Sequence, residues 1–204
     1  MVTFLQGLAV FLQVVIGVVI LWYLAFLFET QQSSKKDRVL YHGSNIKEQG
    51  KVVKKVLEKY VGEEQEIAKY TLYEPGAGMG IVAYYLAAAY KWKQVVAIEI
   101  GPAILVAGKI RFMLARTKTA VTWVYADLFK VDYAPPGVVY CYLFPQLITK
   151  LYTEKKLDNC LVLSLTFAIE GLEPTETIEL TSWQKRMYVY DLRKVPAKSG
   201  KVGK

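Results

Sequence analysis

The sequence predicts an α/β protein in which a largely parallel sheet is covered by helices on both faces, preceded by one N-terminal transmembrane helix. Short apolar runs alternate with helical patterns from residue 69 onward, which is typical of strands buried on both faces of a sheet. A glycine-rich turn joins the first of these runs to the first helix. An uncharged stretch near the N-terminus, residues 4–28, is long enough to cross a membrane.

The N-terminal stretch has the dimensions of a membrane span. As a helix with about 1.5 Å rise per residue it would be roughly 38 Å long, and a bilayer hydrocarbon core is about 30 Å thick. A cleaved signal peptide and a helix buried in the core are the two other interpretations. The signal peptide is disfavoured because no Lys or Arg precedes the run, and because the run exceeds the usual apolar core of about 7–15 residues.

Basic residues follow the apolar stretch and none precedes it. Lys35, Lys36 and Arg38 flank its far end, so the positive-inside rule predicts a single-pass protein whose main domain is cytoplasmic or in an organellar matrix. The predicted organisation is a transmembrane anchor (1–30), a linker (31–44), a domain (45–192) and a basic, disordered tail (193–204).

The domain is expected to begin with a helix at Asn45, which would cap it. One face of this helix is apolar, and another carries lysines at every fourth position: Lys51, Lys55 and Lys59. A lysine face of this kind is normally solvated. Contact with anionic lipid head groups is the alternative, because the anchor would hold the helix near the membrane.

Strands and helices then alternate along the chain. Strands are predicted at 70–74, 94–100, 121–126, 137–143 and 160–166, and helices at 78–90, 103–115 and 145–152. Two β-rich runs at the end, 175–183 and 186–192, are joined by a short polar turn and predict an antiparallel hairpin at one edge of the sheet.

Composition excludes several classes of function. The formal net charge is +8, but no zinc finger, helix-turn-helix or RNP-type motif is visible, so nucleic acid is not expected as a partner. His42 is the only histidine, so no metal site is predicted and a Ser-His-Asp triad has too few parts. Cys141 and Cys160 lie in separate apolar runs and are expected to be buried, reduced thiols.

The stretch YEPGAGMG, residues 73–80, predicts a ligand site at the first strand-to-helix turn. Gly76, Gly78 and Gly80 would let a ligand approach the backbone around Ala77 without a Cβ in the way. The dinucleotide pattern G-x-G-x-x-G fails at Ile81, and no Gly-Lys-Ser/Thr follows as in a P-loop. Glu74, two positions before the first glycine, would repel a pyrophosphate and suits a cationic ligand.

S-adenosylmethionine (SAM) is such a ligand, because it carries an ammonium and a sulfonium and no phosphate. Glu99 ends the second strand, about 20 residues after the glycines, the usual separation for an acidic residue that binds a ribose. Asp127 follows the third strand, where its carboxylate or a neighbouring amide can meet the adenine. With their neighbours Ile100 and Leu128, these acidic residues complete the predicted cofactor site.

These motifs resemble those of the class I, seven-stranded SAM-dependent methyltransferases. Residues 73–80 look like the first motif of that family, Glu99 like the second, and Ala126-Asp127-Leu128 like the third. The resemblance covers roughly residues 46–192. It implies a Rossmann-like mixed sheet of seven strands with the final hairpin at one edge.

A narrower resemblance concerns the protein lysine methyltransferases that act on the ATP synthase c-subunit and the adenine nucleotide translocase. The shared features are a membrane-anchored N-terminus, E-x-G-x-G-x-G, the run Asp127-Leu128-Phe129-Lys130 and the run Tyr142-Leu143-Phe144-Pro145. The resemblance implies a protein-lysine N-methyltransferase with a membrane-associated protein substrate.

The methyl-acceptor site is expected after the fourth strand, where Tyr142, Phe144 and Pro145 would line it. Aromatic faces there can hold a cation, although ordinary core packing explains Tyr142 and Phe144 equally well. Two other functions stay open: a methyltransferase for a small-molecule or lipid substrate, and a non-catalytic, membrane-tethered SAM-binding module.

Overall fold

The computed structural model describes residues 2–36, 46–154, 156–181 and 186–194. These residues fall into two compact units, Met1–Tyr41 and His42–Lys204. The described residues of the first unit form one long helix, α1 (Val2–Lys36). The part of the predicted linker up to Lys36 is therefore helical, while its remainder and the predicted cap Asn45 lie outside the described residues.

Within α1, the stretch Gln6–Ala25 is long and apolar enough to cross a membrane. None of that stretch is buried, whereas the core helix of a soluble protein would be mostly buried. Its length and composition fit a membrane span, and a signal sequence near the N-terminus passes the same test.

The second unit is built from alternating strands and helices. Its helices are α2 (Ile46–Tyr60), α3 (Glu64–Ile67), α4 (Ile81–Ala89), α5 (Pro102–Phe112) and α6 (Pro145–Thr153). Its strands are β1 (Thr71–Pro75), β2 (Gln94–Glu99), β3 (Val121–Tyr125), β4 (Gly137–Cys141), β5 (Cys160–Leu165), β6 (Glu176–Glu179) and β7 (Arg186–Asp191). Two short 3₁₀ helices cover Leu128–Lys130 and Leu192–Lys194.

The seven strands form one mixed sheet in the order β3-β2-β1-β4-β5-β7-β6. Strands β1 to β5 pair in parallel, and β7 pairs antiparallel with β5 and with β6. The predicted sheet and its closing hairpin are therefore confirmed. The order reverses at β1 and β4, so the carboxyl ends of these strands flank the crevice where open α/β sheets bind ligands.

Helices cover both faces of the sheet, as predicted. Alternate residues of strand β4 therefore pack against different helices. Val138 and Tyr140 pack on the side of α2 and α4, while Val139 and Cys141 pack on the side of α6. Both cysteines are buried and free. Burial raises the pKa of each thiol to about 12, which keeps both protonated.

Helix α2 is held on the domain by charged contacts as well as by its apolar face. Lys59 forms an ion pair with Glu176 of β6, with 2.8 Å between Nζ and Oε2, so this lysine belongs to a contact between α2 and the sheet edge. Lys51 and Lys55 are exposed, as predicted for the lysine face.

Order extends two residues beyond the predicted domain end at 192, to the end of the 3₁₀ helix Leu192–Lys194. Arg193 forms a bidentate ion pair with Asp191 and donates to the hydroxyl of Tyr70 and the carbonyl of Tyr60. The start of the predicted tail is therefore part of the domain. Residues 195–204 lie outside the described residues.

Candidate cofactor and acceptor site

The glycine loop lies between β1 and α4, at the carboxyl edge of the sheet. Gly76, Gly78 and Gly80 have φ angles of +68°, +55° and +67°. Residues with a Cβ rarely adopt this left-handed region, so the path of the loop itself requires glycine at all three positions. Ala77 fixes the loop to β2, because its N–H donates to the carbonyl of Ile98 at 2.9 Å.

At two of the glycines, a neighbouring side chain lies so close that it leaves no room for a Cβ. A Cβ on Gly76 would lie 2.9 Å from Cδ2 of Leu143, and a Cβ on Gly80 would lie 2.7 Å from the ring of Trp123. Leu143 belongs to the predicted acceptor segment, so the structure brings that segment against the cofactor loop. Trp123 of β3 was not singled out from the sequence, because an aromatic residue in a strand looks like any other core residue.

The Glu99 carboxylate joins the end of β2 to the glycine loop. Its Oε2 accepts from the N–H of Gly78, and its Oε1 accepts from the N–H groups of Ile100 and Gly101, each at 2.8 Å. A carboxylate has about four acceptor positions, so a ribose hydroxyl can still bind. Glu99 is thus placed both to organise the loop and to meet a ligand above it.

Glu74 lies beneath the loop and is buried. Its Oε2 accepts from the N–H of Ala83 in the first turn of α4, at 2.8 Å. A pyrophosphate site uses such N–H groups to bind the phosphate. Here the Glu74 side chain occupies one such N–H group, and the carboxylate of Glu99 accepts from Gly78 in the loop before the helix. The negative charge of Glu99 disfavours an anion and favours a ligand with positive charge.

The protonation of Glu74 leads to a prediction about stability. Burial raises the pKa of this carboxyl from 4.5 to about 8, the hydrogen bond from Ala83 opposes the shift, and the charge of Glu99 adds to it. Because the folded pKa is the higher one, the folded state holds the proton more tightly. The stabilisation that comes from this tighter proton binding is complete below about pH 4.5 and is lost as the pH rises through about 8. Between these values the free energy of unfolding falls by up to about 1.4 kcal/mol per pH unit.

Glu74→Gln is the matched variant, because its amide oxygen can still accept from Ala83 but does not titrate. We expect the free energy of unfolding of the wild type to fall relative to that of the variant between pH 5 and pH 9. Denaturant unfolding of both proteins in detergent, at several pH values, measures this difference. A constant difference across the range would contradict the assignment.

The third predicted carboxylate starts a short helix. Asp127 caps the 3₁₀ helix Leu128–Lys130, and its Oδ1 accepts from the N–H of Phe129 at 3.0 Å. The backbone N–H of Ala126 donates to the carbonyl of Glu99 at 3.2 Å, which ties the ends of β2 and β3 together. Leu128 is half-buried and Ile100 is exposed beside Glu99. All the predicted cofactor residues thus lie at the carboxyl ends of β1, β2 and β3 or on the turns that follow these strands.

The predicted acceptor residues lie between β4 and α6, where Phe144 precedes the helix and Pro145 is its first residue. Phe167, which follows β5, joins them. Its ring is stacked on Tyr142 with centroids 5.7 Å apart and an interplanar angle of 13°, and it lies 5.7 Å from the ring of Phe144. Tyr142, Phe144 and Phe167 are called the aromatic group below.

Phe167 was missed from the sequence, because the fifth strand was predicted to run through Thr166. In the structure β5 ends at Leu165, and Thr166 has φ +72°. A β-branched residue in this region is strained, and such residues cluster at functional sites. This turn at Thr166 places Phe167 at the carboxyl edge of the sheet, beside the aromatic residues that follow β4.

Within the described ranges, no group of three or more His, Cys, Asp or Glu side chains could hold a metal ion. His42 lies outside those ranges.

Comparison with known proteins places the site in a recognised family. The model of the ANTKMT methyltransferase domain matches residues 74–176, from Glu74 to the first residue of β6. That range contains the glycine loop, all three carboxylates and the aromatic group. A search of curated proteins found no match.

Solved structures share the fold. An RNA methyltransferase from Salinibacter ruber, in complex with S-adenosyl-L-homocysteine, matches with a TM-score of 0.59 at 24% identity, over 72% of this chain and 94% of that chain. Magnesium protoporphyrin IX methyltransferase from Synechocystis PCC 6803 matches with a TM-score of 0.54 at 12% identity, over 85% of this chain and 97% of that chain. At these identities the likeness concerns the fold, which is the Rossmann-like methyltransferase fold that the motifs predict.

Proposed function

Because the chain belongs to the ANTKMT methyltransferase domain family, we propose that it transfers the methyl group of SAM to the side-chain nitrogen of a lysine in a membrane-associated protein. Methyl transfer from SAM follows from the family and the fold. The aromatic group supports the choice of a lysine acceptor, because its rings suit a cationic side chain. Leu143, which lies between Tyr142 and Phe144 in the sequence, packs close to Gly76 of the cofactor loop.

The residues of the loop fit SAM. A cofactor with a sulfonium and an ammonium suits a loop that is bordered by the Glu99 carboxylate, while the buried Glu74 side chain accepts from the first turn of α4. The three glycines with positive φ have no side chain, so nothing covers the backbone where the cofactor would approach. Glu99 would hold the ribose, and Asp127 with Leu128 would border the adenine. When bound, SAM supplies an electrophilic methyl carbon that the acceptor nitrogen displaces in line from sulfur.

The protein has two tasks in such a displacement: alignment of the acceptor and removal of its proton. The ring faces of Tyr142, Phe144 and Phe167 would attract and orient the lysine ammonium. Apolar surroundings also lower the pKa of an amine, so the lysine would lose its proton to water more readily as it enters. The neutral nitrogen then forms the N–C bond while the C–S bond breaks, which leaves S-adenosylhomocysteine.

Helix α1 supports a membrane location for the substrate. The stretch Gln6–Ala25 has the length and composition of a span, and we propose that it anchors the chain as a single-pass protein. The basic residues Lys35, Lys36 and Arg38 follow this stretch, so the methyltransferase domain is proposed to lie on the cytoplasmic or organellar-matrix side. An anchored enzyme meets membrane substrates at a raised local concentration.

The role of the aromatic group predicts a separation between catalysis and cofactor binding. Phe167→Leu keeps an apolar side chain but removes a ring face, so we expect kcat/KM for the acceptor to fall about tenfold. Affinity for SAM is expected to stay unchanged, and Phe167→Tyr is expected to retain activity. Steady-state methylation rates and calorimetric SAM titrations of the three proteins measure this.

Phe112→Leu is the control, because Phe112 also stacks on a tyrosine ring, at 4.0 Å from Tyr84, but lies on α5 outside the aromatic group. An equal loss of activity in Phe112→Leu and Phe167→Leu would mean that the rings only support the fold. That result would remove the main support for a cationic acceptor.

A further inference from the structure

One side of the methyltransferase domain exposes several large apolar residues together with basic ones. This side is formed by α5, the two residues after it and the edge strand β3, whose one partner among the described strands is β2. The exposed fractions are 40% for Val106, 62% for Ile110, 74% for Met113, 89% for Leu114 and 65% for Tyr125. These five residues are called the α5 face.

The α5 face arises because the helix turns its small residues toward the sheet. Ala103 and Gly108 are buried with Leu105, and a Cβ on Gly108 would overlap the Trp123 ring. The larger residues Val106, Ile110 and Met113 follow at the spacing i, i+4 and i+7, which places them in one stripe. On an ordinary surface helix this stripe would be polar.

Tyr125 lies on the same side of the sheet. It is two residues after Trp123 in β3, and alternate residues of a strand point to the same face. Since Trp123 contacts Gly108, that face is the one covered by α5. The exposed apolar residues of the helix and of the edge strand therefore form one surface.

The charged residues that the α5–β3 segment itself contributes all have one sign. No Asp or Glu occurs between Glu99 and Asp127, whereas Lys109, Arg111, Arg116 and Lys118 lie in that interval. Lys118 pairs with Glu64 at 2.7 Å. Within the described ranges, no ion pair is found for Lys109, Arg111 or Arg116, and all three side chains are exposed.

We propose that the α5 face lies against the surface of an anionic lipid bilayer, with its apolar side chains among the acyl chains and its basic side chains at the phosphates. An anionic bilayer offers an apolar layer bordered by negative charge, which matches this arrangement. A second copy of the chain would bring two basic surfaces together. Nucleic acid would match the charge but leave the apolar residues without a partner.

This docking is independent of the proposed reaction, so it is tested without a methylation assay. The Met113→Cys variant of the full chain is labelled at the new cysteine with a small fluorophore. It is then placed in vesicles of phosphatidylcholine alone or of phosphatidylcholine with phosphatidylglycerol. Cys141 and Cys160 are buried and stay unlabelled. The matched probe is Thr153→Cys, because Thr153 is exposed at the end of α6, on the opposite face of the sheet.

Lipids with a spin label on the acyl chain quench fluorophores that enter the bilayer. In anionic vesicles we expect the Met113→Cys probe to lose about half of its fluorescence or more, and the Thr153→Cys probe to lose little. Reversing charge at Lys109, Arg111 and Arg116 together should abolish the difference, and circular dichroism confirms the fold of that variant.

Three results would overturn the docking surface. The first is equal quenching of the two probes, and the second is quenching of the Met113→Cys probe that persists after charge reversal. The third is energy transfer between Met113→Cys probes on different copies that does not fall when lipid is added in excess. This third result would assign the α5 face to a second copy of the chain.

Discussion

Replacing Gly78 by valine is expected to abolish SAM binding, and with it methyl transfer. Gly78 has φ +55°, a conformation that costs an L-residue about 1–2 kcal/mol and a β-branched residue more. If the loop shifts to relieve this strain, the hydrogen bond from the Gly78 N–H to Glu99 is lost. A bond to a charged group contributes about 1.5–3 kcal/mol, so the combined effect is an affinity loss of about a hundredfold or more.

Gly171→Val is the matched control for this prediction. Gly171 also has positive φ, at +74°, but a Cβ there would meet nothing within 4 Å. The control variant therefore carries a comparable backbone strain outside the site and should bind SAM like the wild type. Calorimetry with both variants measures the affinities. Unchanged SAM affinity in folded Gly78→Val would show that the loop does not hold the cofactor.

Removing the N-terminal helix is expected to have the second large effect. A chain that begins at Lys35 should bind SAM with unchanged affinity, because the glycine loop, Glu99 and Asp127 all lie in the second compact unit. Its rate on membrane-bound substrate should fall by about a hundredfold or more, since tethering alone can raise effective affinity by that amount. Methylation rates on the same membranes, at equal enzyme concentration, measure the difference.

A chain with residues 4–28 replaced by an unrelated apolar span of equal length is the control for the anchor. It should restore the rate on membranes, because tethering requires a span and not a particular sequence. Equal rates for the full and shortened chains would remove the reason for an anchor and favour a soluble substrate.

Much of this fold could be predicted from the sequence, because its signals are local. Buried parallel strands appear in the sequence as short apolar runs, and the glycines indicate the turn after the first strand. Glu99 was predicted as a ligand of the ribose from its position at the end of β2. Its hydrogen bond from the N–H of Gly78 could not be predicted, since that bond depends on how β1 and β2 pair.

The parts that were missed depend on tertiary contacts. Phe167 is 25 positions after Tyr142 in the sequence, and only the pairing of β4 with β5 brings the two rings together. Arg193 looked like the first residue of a basic tail, whereas Asp191 and Tyr70 fix it to the domain. The end of β5 was misplaced because the threonine in the left-handed turn has high strand propensity.

The identity of the methyl acceptor tests the central claim most directly. The full chain is incubated with SAM labelled in its methyl group and with membranes from its source, and the label is then followed into delipidated protein and into the lipid extract. We predict label in membrane protein that is recovered as methylated lysine after acid hydrolysis, and its loss with Gly78→Val. Label in the lipid extract, or no transfer from an enzyme that binds SAM, would contradict a protein-lysine methyltransferase.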